Sequence, residues 1–419
     1  MNTLYVWMPP NLVGKLQVDK NDTLTFQYEK SWEENPKAFA LSNSLKLDAK
    51  KIYGKEADFF FSNLLPEGNA RESLCRKMGI SIDNNFELLS RIGRDCAGAL
   101  ILTEEDTLIE ENADLKKVSI EDLKKWLSRG SGGLLDMQVQ GELRLSLAGA
   151  QNKLPIVYIN GEFYQPLGSH PTTHILKPPP DRFKYIPENE WFQSRLAFHM
   201  GFNVANSKLI KIGSDYSLLV ERYDREQSDN QWKRLHQEDF CQALGVSGKK
   251  KYQIEGGPSA VDCVNLISLR SDDALEDTNS LIRWLIFNVL IGNCDAHAKN
   301  VSLLRQPNGI WGLAPLYDLV ATRIYDELSH NLAMSVDSQY DSGTIYLKHW
   351  KNLFSQCTVS PARYTKEIKN MTAMFNEKIN IVTTEFNNQY GDSPVIQILH
   401  ENYKVRLRRV LTGINKYEN

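Results

Sequence analysis

No CxxC pair occurs among the six cysteines of this 419-residue chain. Metal-binding thiolates usually come closely spaced, and disulfide scaffolds need a dense cysteine pattern. A structural zinc site and a disulfide framework are therefore not expected, and a reducing cytoplasm is the expected compartment. Long apolar runs are also missing. The stretch "LIRWLIFNVLIG" is interrupted by Arg283 and Asn288 and is too short to cross a bilayer. The opening "MNTLYVWMPPNLVG" lacks the basic start and apolar centre of a secretory leader, so no membrane partner is expected. Formal net charge is −3, which leaves only a local basic patch as a route to nucleic acid. Internal repeats, low-complexity tracts and a GxGxxG loop are absent as well.

What is present reads as several domains' worth of ordinary globular sequence. Residues 1–50 pattern as short strands ("TLYVWM", "LVGKLQV", "TLTFQYE"), with Val13-Gly14-Lys15 and Asn21-Asp22 as turns. Helical patterning follows from 56 to 90, then a strand "AGALIL". Residues 1–105 are taken as one subdomain and the charged stretch 106–140 as a connector. Residues 141–225 are rich in strands: "ELRLSL", "KLPIVYI", "EFYQPL" after an Asn160-Gly161 hairpin turn, and "THILK" stopped by three prolines. A helix over 188–200 starts at Pro187 and ends before Gly201. "SKLIKI" and "SLLVERY" form another hairpin. Residues 226–419 read as mainly helical.

The chemistry concentrates at "NCDAHAKN", residues 293–300, directly after the apolar helix. "VSLLRQ", a Pro307-Asn308-Gly309 turn and "IWGLAPLYD" then predict a hairpin that returns Tyr317 and Asp318 towards that loop. Asp295, Asn300 and Asp318 would converge. Phosphoryl transfer uses such a set: hard oxygens for magnesium and one further carboxylate to take the acceptor's proton. Asp-x4-Asn alone also describes a capping aspartate and a turn asparagine. Its place between an apolar helix and a hairpin ending in Asp favours the kinase reading.

Lys177 ends the fourth strand, where it could reach ATP phosphates, and Glu190 on the next helix could pair with it. Lys177 also reads as a solvated lysine before prolines, and Glu190 reads first as a helix-start carboxylate favoured by the dipole. The turn "SLAGAQNK", Ser146–Lys153, could present amides to phosphates around Gly149, with Lys153 adding charge, or be a plain β-turn. The tail "NYKVRLRRVLTGINK" carries Lys404, Arg406, Arg408, Arg409 and Lys416. It reads as a solvated helix or as a phosphate-contacting patch.

In order, "SLAGAQNK", "PTTHILK", "QEDFCQALG", "KYQIEGGP", "CDAHAKN" and "PLYDL" resemble the HipA family of bacterial serine/threonine kinase toxins. "FFSNLLPEGNARESLCRKMG" resembles that family's N-terminal subdomain. The likeness spans roughly 1–390. It implies an α+β fold: two-lobed and protein-kinase-like, with an extra N-terminal β-rich subdomain and a mainly helical C-terminal lobe. It also implies ATP and Mg2+ as cofactors. By position, Asp295 corresponds to the catalytic aspartate, and Asn300 and Asp318 to magnesium ligands. Lys177 corresponds to the ATP-phosphate lysine. Ala148, Gly149, Ala150, Gln151, Asn152 and Lys153 correspond to the phosphate loop, and Glu221, Arg222 and Tyr223 to the hinge. His297, Ala298, Lys299 and Asn300, with Tyr317 beside Asp318, correspond to further nucleotide contacts. Ser146 corresponds to an autophosphorylated serine that silences such kinases; a phosphate there would repel those of ATP.

Implied partners are a HipB-like helix-turn-helix antitoxin, operator DNA through that complex, and a protein substrate such as glutamyl-tRNA synthetase, whose modification arrests growth. Cys294 and Ala296 stand where other members carry other small residues. Two further readings stay open: a small-molecule kinase using the same Asp-x4-Asn logic, and a corepressor scaffold with weak or lost catalysis.

Overall fold

The computed structural model describes residues 2–21, 23–108, 114–127, 153–167, 170–180, 182–228 and 231–415. The chain divides into two compact units, Met1–Pro180 with Ile210–Gly248 and Leu304–Asn308, and Asp181–Leu209 with Lys249–Leu303 and Gly309–Asn419. The fold is mixed α+β, and no helix among the described residues is long and apolar enough to cross a membrane.

In the first unit, strands β1 (Thr3–Met8), β2 (Asn11–Val18), β3 (Leu24–Tyr28), β4 (Ile52–Tyr53) and β5 (Ile101–Thr103) form a sheet in the order β4-β3-β2-β1-β5. Gly14 is not the turn its neighbours suggest. It lies inside β2, where a Cβ would stand 2.5 Å from the Phe26 ring; the chain turns instead at Pro9-Pro10. The "AGALIL" strand is shorter than expected, starting only at Ile101. Helices Lys55–Ser62, Gly68–Met78 and Asn85–Ile92 follow the helical pattern, and Phe60, Phe61, Leu88 and Leu89 join Leu4, Leu16 and Phe26 in one core.

The stretch read as a connector contributes an edge strand, β6 (Leu115–Val118), and a helix, Ile120–Leu127. Lys116 and Lys117 are exposed, as suits an edge, and they mask the strand in the sequence. With β7 (Leu154–Ile159), β8 (Glu162–Pro166), β9 (His174–Lys177), β10 (Ser207–Ile212) and β11 (Asp215–Glu221) the order is β10-β11-β9-β7-β8-β6. Asn160 and Gly161 both take positive φ, 52° and 88°, as a two-residue hairpin turn of this kind requires. The "ELRLSL" stretch lies outside the described residues.

Residues 226–248, grouped with the helical part on sequence, cluster with the first unit. A buried charge network explains this. Asp95 faces Arg225 at 2.9 Å, Arg222 at 3.4 Å and Arg234 at 3.5 Å, and accepts from Thr172. Asp224 holds Arg222 through two bonds of 3.0 and 2.8 Å and accepts from the Gly98 amide at 2.6 Å. The Asp95, Arg222 and Arg225 side chains are at most 1% exposed. Burial opposes ionisation of Asp95, but the three guanidiniums outweigh it and hold its carboxyl well below the usual range. The "QEDFCQALG" motif adds to the same join: Gln242 donates to the Phe60 carbonyl, and Ser42 and Ser44 donate to the Gln242 carbonyl.

In the second unit, helix Ile186–His199 begins with Pro187 and is followed by Gly201 at φ 83°. Its Trp191 packs edge-on against Phe386 of helix Pro361–Tyr390. Phe287, Phe375 and Tyr403 form a continuous aromatic chain linking helix Ala274–Ile291 to helices Pro361–Tyr390 and Pro394–Asn415.

Asp95→Asn would leave three buried guanidiniums short of a counter-charge, and is expected to cost about 3–5 kcal/mol in a denaturant melt. The native carboxyl is depressed, so its contribution is complete above the unfolded value of about 4 and is lost as pH falls below it. The gap between wild type and variant is expected to narrow below about pH 4.

Candidate active site

Helix Ala274–Ile291 is almost wholly buried along its C-terminal half, which explains its apolar sequence. Arg283, the charge within it, donates to the Met200 carbonyl at 2.7 Å and pairs with Glu367 at 3.0 Å. The helix ends at Gly292 in the left-handed region, φ 76°, and its last carbonyls are taken one by one. Gly292 and Asn293 amides donate to Asn288, Asn402 Nδ2 to Ile291 at 3.1 Å, and the Arg406 guanidinium twice to Val289 at 3.0 and 2.8 Å. Arg406 is therefore buried and is not part of a solvated or phosphate-binding tail surface. Within the basic tail its neighbours Val405 and Arg408 are exposed.

The loop that follows is closed on itself. Asn293 Oδ1 accepts from the Asp295 amide at 3.0 Å. The Asp295 carbonyl accepts from the His297 amide and from Asn300 Nδ2, both at 2.8 Å. Ala298–Asn300 form a 3-10 turn. The Cys294 amide is fixed by Thr322 Oγ1 at 2.7 Å. These bonds turn the main chain inward and the Asp295 side chain outward, half exposed at 50%. His297, Lys299 and Asn300 are buried, and Ala298 has no exposed surface. Tyr252 Oη donates to Asp295 Oδ1 at 2.5 Å, and His297 Nε2 stands 3.7 Å from the same oxygen. Tyr252 lies within the quoted "KYQIEGGP" but carried no role in the sequence; nothing local to that stretch marks it as a neighbour of residue 295.

Strand β15 (Ser302–Arg305) and strand β16 (Trp311–Leu313), numbered after hairpin strands β12 (Arg225–Ser228) and β13 (Gln231–Arg234) and strand β14 (Gln237–Asp239), flank the expected Pro307–Gly309 turn. The Ala314 amide donates to the Ser302 carbonyl at 2.9 Å. Tyr317 Oη then reaches back to the Lys299 carbonyl at 2.8 Å and Ser302 Oγ at 2.6 Å. Residue 317 is thus joined to the turn that holds Asn300, and Asp318 is the next residue. Asp318 takes φ 52°, uncommon for a side chain other than glycine, and both flanks are pinned. On one side Leu316 exchanges backbone bonds of 2.9 Å with Asn203 and Ala205; on the other, buried Asn189 bonds both the amide and carbonyl of Ala321, at 3.0 and 3.2 Å. Asn189 was not foreseen, because an asparagine inside a helix advertises nothing at a distance of 132 residues.

In the first unit, Lys177 ends β9 opposite Leu218 and is buried, 3% exposed. Lys153 precedes β7 and is half-buried. Glu221 pairs with His174 across the sheet and is exposed, and the Arg222 amide donates to the Thr173 carbonyl at 2.9 Å. The Arg222 side chain is committed to the Asp95–Asp224 network, and Tyr223 Oη donates to Gln237. Glu190 is buried in helix Ile186–His199. Ser146, Ala148, Gly149, Ala150, Gln151 and Asn152 lie outside the described residues.

Residues 4–103 match the family described as HipA N-terminal domain, and residues 145–379 that described as HipA-like C-terminal domain. The chain belongs to the HipA family. A putative kinase of Sinorhizobium fredii, Y4mE, is 36% identical over 99% of this chain and 100% of its own length. The serine/threonine-protein kinase toxin HipA of Shewanella oneidensis is 32% identical over 82% and 81%. A solved structure of a Shewanella oneidensis toxin–antitoxin complex of HipA, HipB and operator DNA superposes with a TM-score of 0.85 at 27% identity, covering 99% of each chain. This HipA-family chain is accordingly a kinase with the kinase-toxin fold, and ATP is its phosphoryl donor.

Arg406→Ala would leave the Val289 carbonyl without its two side-chain donors at the helix end that leads into the loop. It is expected to cost about 1–3 kcal/mol in a denaturant melt, with a fall in turnover that Arg408→Ala does not reproduce.

Proposed function

We propose that this chain is a toxin kinase that transfers the ATP γ-phosphate to a serine or threonine of a target protein, with Asp295 as the base. The observation that carries the reading is the side chain of Asp295. It is half exposed on a loop whose main chain is hydrogen-bonded at Asp295, and both of its side-chain contacts, from Tyr252 and His297, are made to Oδ1. Oδ2 is the oxygen left for an acceptor hydroxyl. In the step itself the hydroxyl oxygen forms a bond to Pγ as its proton passes to Oδ2. The bond from Pγ to the β,γ-bridging oxygen breaks, and its electron pair leaves with ADP.

The donors nearby suit magnesium. Asn300 spends its NH2 on the Asp295 carbonyl, so its amide oxygen is the end left to face a cation, and Asp318 supplies a carboxylate. These two residues would hold the ion, which when bound neutralises charge on the ATP phosphates. Lys177 and Lys153 would hold phosphate oxygens, joined by the amides of Ala148–Asn152. The main chain of Glu221–Tyr223 would receive the adenine. His297, Lys299 and Tyr317 serve by fixing the loop.

The finer biology follows the family. The reading takes a translation protein such as glutamyl-tRNA synthetase as substrate, growth arrest as the outcome, and phosphorylation of Ser146 as the off-switch. A HipB-like helix-turn-helix antitoxin would neutralise the kinase and carry it to operator DNA, as the similarity to the Shewanella oneidensis HipA–HipB–operator DNA complex supports.

Asp295→Asn is expected to lower transfer by about 10²- to 10⁴-fold while ATP still binds. Calorimetric ATP titration together with phosphoproteomics of cells expressing either form reads both quantities. Wild-type turnover in the variant would remove Asp295 as the base. Preincubation with ATP is expected to silence the wild type and leave Ser146→Ala active; equal loss in both would remove the switch.

A further inference from the structure

Tyr252 touches the proposed base yet has no part in the chemistry assigned above. Its phenol donates to Asp295 Oδ1 at 2.5 Å, and its ring meets the His297 imidazole edge-on, with centroids 5.2 Å apart and planes at 85°. His297 Nε2 approaches that same Oδ1, at 3.7 Å. Two side chains from separate segments therefore address one carboxylate oxygen. Among the described residues, none is bonded to the other.

The segment that carries Tyr252 is built to hold still. Gln253–Glu255 make a 3-10 turn, and the Gly256 and Gly257 amides donate to the Gln253 and Tyr252 carbonyls, each at 3.0 Å. A Cβ on Gly257 would collide with the carbonyls of Lys250 and Tyr252, so the turn closes tightly only with glycine there. Gln253 Oε1 accepts from both the amide and the hydroxyl of Ser335, at 2.8 and 3.1 Å, on strand β17 (Asn331–Val336). The tyrosine is thus presented from a braced turn, itself tied to a strand.

An aspartate's last torsion is soft, with a broad two-fold profile. A half-exposed carboxylate held at no oxygen would rotate and offer its lone pairs in many directions. We propose that Tyr252 is a positioning residue for phosphoryl transfer: its phenol fixes Oδ1 and so keeps Oδ2 of Asp295 turned to the acceptor hydroxyl. The inference rests on Asp295 being the base. Tyr252 acts through that carboxylate alone and contributes nothing to ATP affinity.

The test compares wild type, Tyr252→Phe, Asp295→Asn and the double variant. It follows labelled phosphate from ATP into the protein of a cell lysate, with kcat, KM for ATP and melting temperature recorded for each. Tyr252→Phe is expected to lower kcat roughly tenfold, the scale of one hydrogen bond to a charged group. KM for ATP and melting temperature stay where they were, and in the Asp295→Asn background the same change causes no further loss. An undiminished or faster rate in Tyr252→Phe overturns the inference, as does a rise in KM for ATP. A loss of equal factor in both backgrounds marks a merely structural role and overturns it too. Wild-type turnover in Asp295→Asn instead fells the assignment of the base, and the inference with it. Loss in Asp295→Asn with none in Tyr252→Phe fells the inference alone.

Discussion

The main-chain carbonyl of Asp295 accepts two hydrogen bonds, from the His297 amide and from the Asn300 side chain. That shared acceptor sets the rest of the site. It curls residues 295–300 into a closed turn, with the carboxylate of residue 295 half exposed outside it. It also fixes which end of the Asn300 amide is spent. The NH2 is used inside the protein, and the oxygen is the end that can meet a cation. One asparagine side chain would thus both brace the loop of the proposed base and present the oxygen proposed as a ligand.

Such a turn needs support from both ends. At its start, the C-terminal carbonyls of helix Ala274–Ile291 are met by Asn402 and Arg406 from the last helix of the chain. The Val289 and Ile291 carbonyls would otherwise lack these side-chain partners, and buried unpaired carbonyls are costly. At its end, Tyr317 returns from the hairpin to the Lys299 carbonyl. The positive φ of Asp318 is maintained by firm bonds at Leu316 and Ala321, a local strain at a place where the geometry of one carboxylate matters. The first unit shows a related economy. Its buried Asp95 network ties the N-terminal sheet region to the Arg222–Arg234 stretch, which also supplies the main chain proposed for adenine.

Local patterns in the sequence carried much of this. The Asn160-Gly161 turn, the helix opening at Pro187, the apolar helix before residue 293 and the hairpin returning to Asp318 all follow from short-range rules, and all are found. What escaped depends on partners far along the chain. Gly14 reads as a turn until the Phe26 ring is seen above it. Arg222 sits in a stretch chosen for its backbone, while its side chain answers to Asp95, 127 residues away. Arg406 looks like one more solvated base in a basic tail, yet its acceptor lies 117 residues upstream. Lys116 and Lys117 disguise an edge strand because its two central residues are both exposed. The family resemblance pointed to the motif around Tyr252, but only the fold reveals that its phenol meets the carboxylate of residue 295.

The most direct test of the account is a crystal structure with magnesium and a non-hydrolysable ATP analogue. The account predicts one ion held by the amide oxygen of Asn300 and the carboxylate of Asp318, the Asn300 NH2 still on the Asp295 carbonyl, and Asp295 Oδ2 off the metal and open towards the γ-phosphate. An ion coordinated by Asp295, or an Asn300 side chain turned away from both ion and loop, would contradict it.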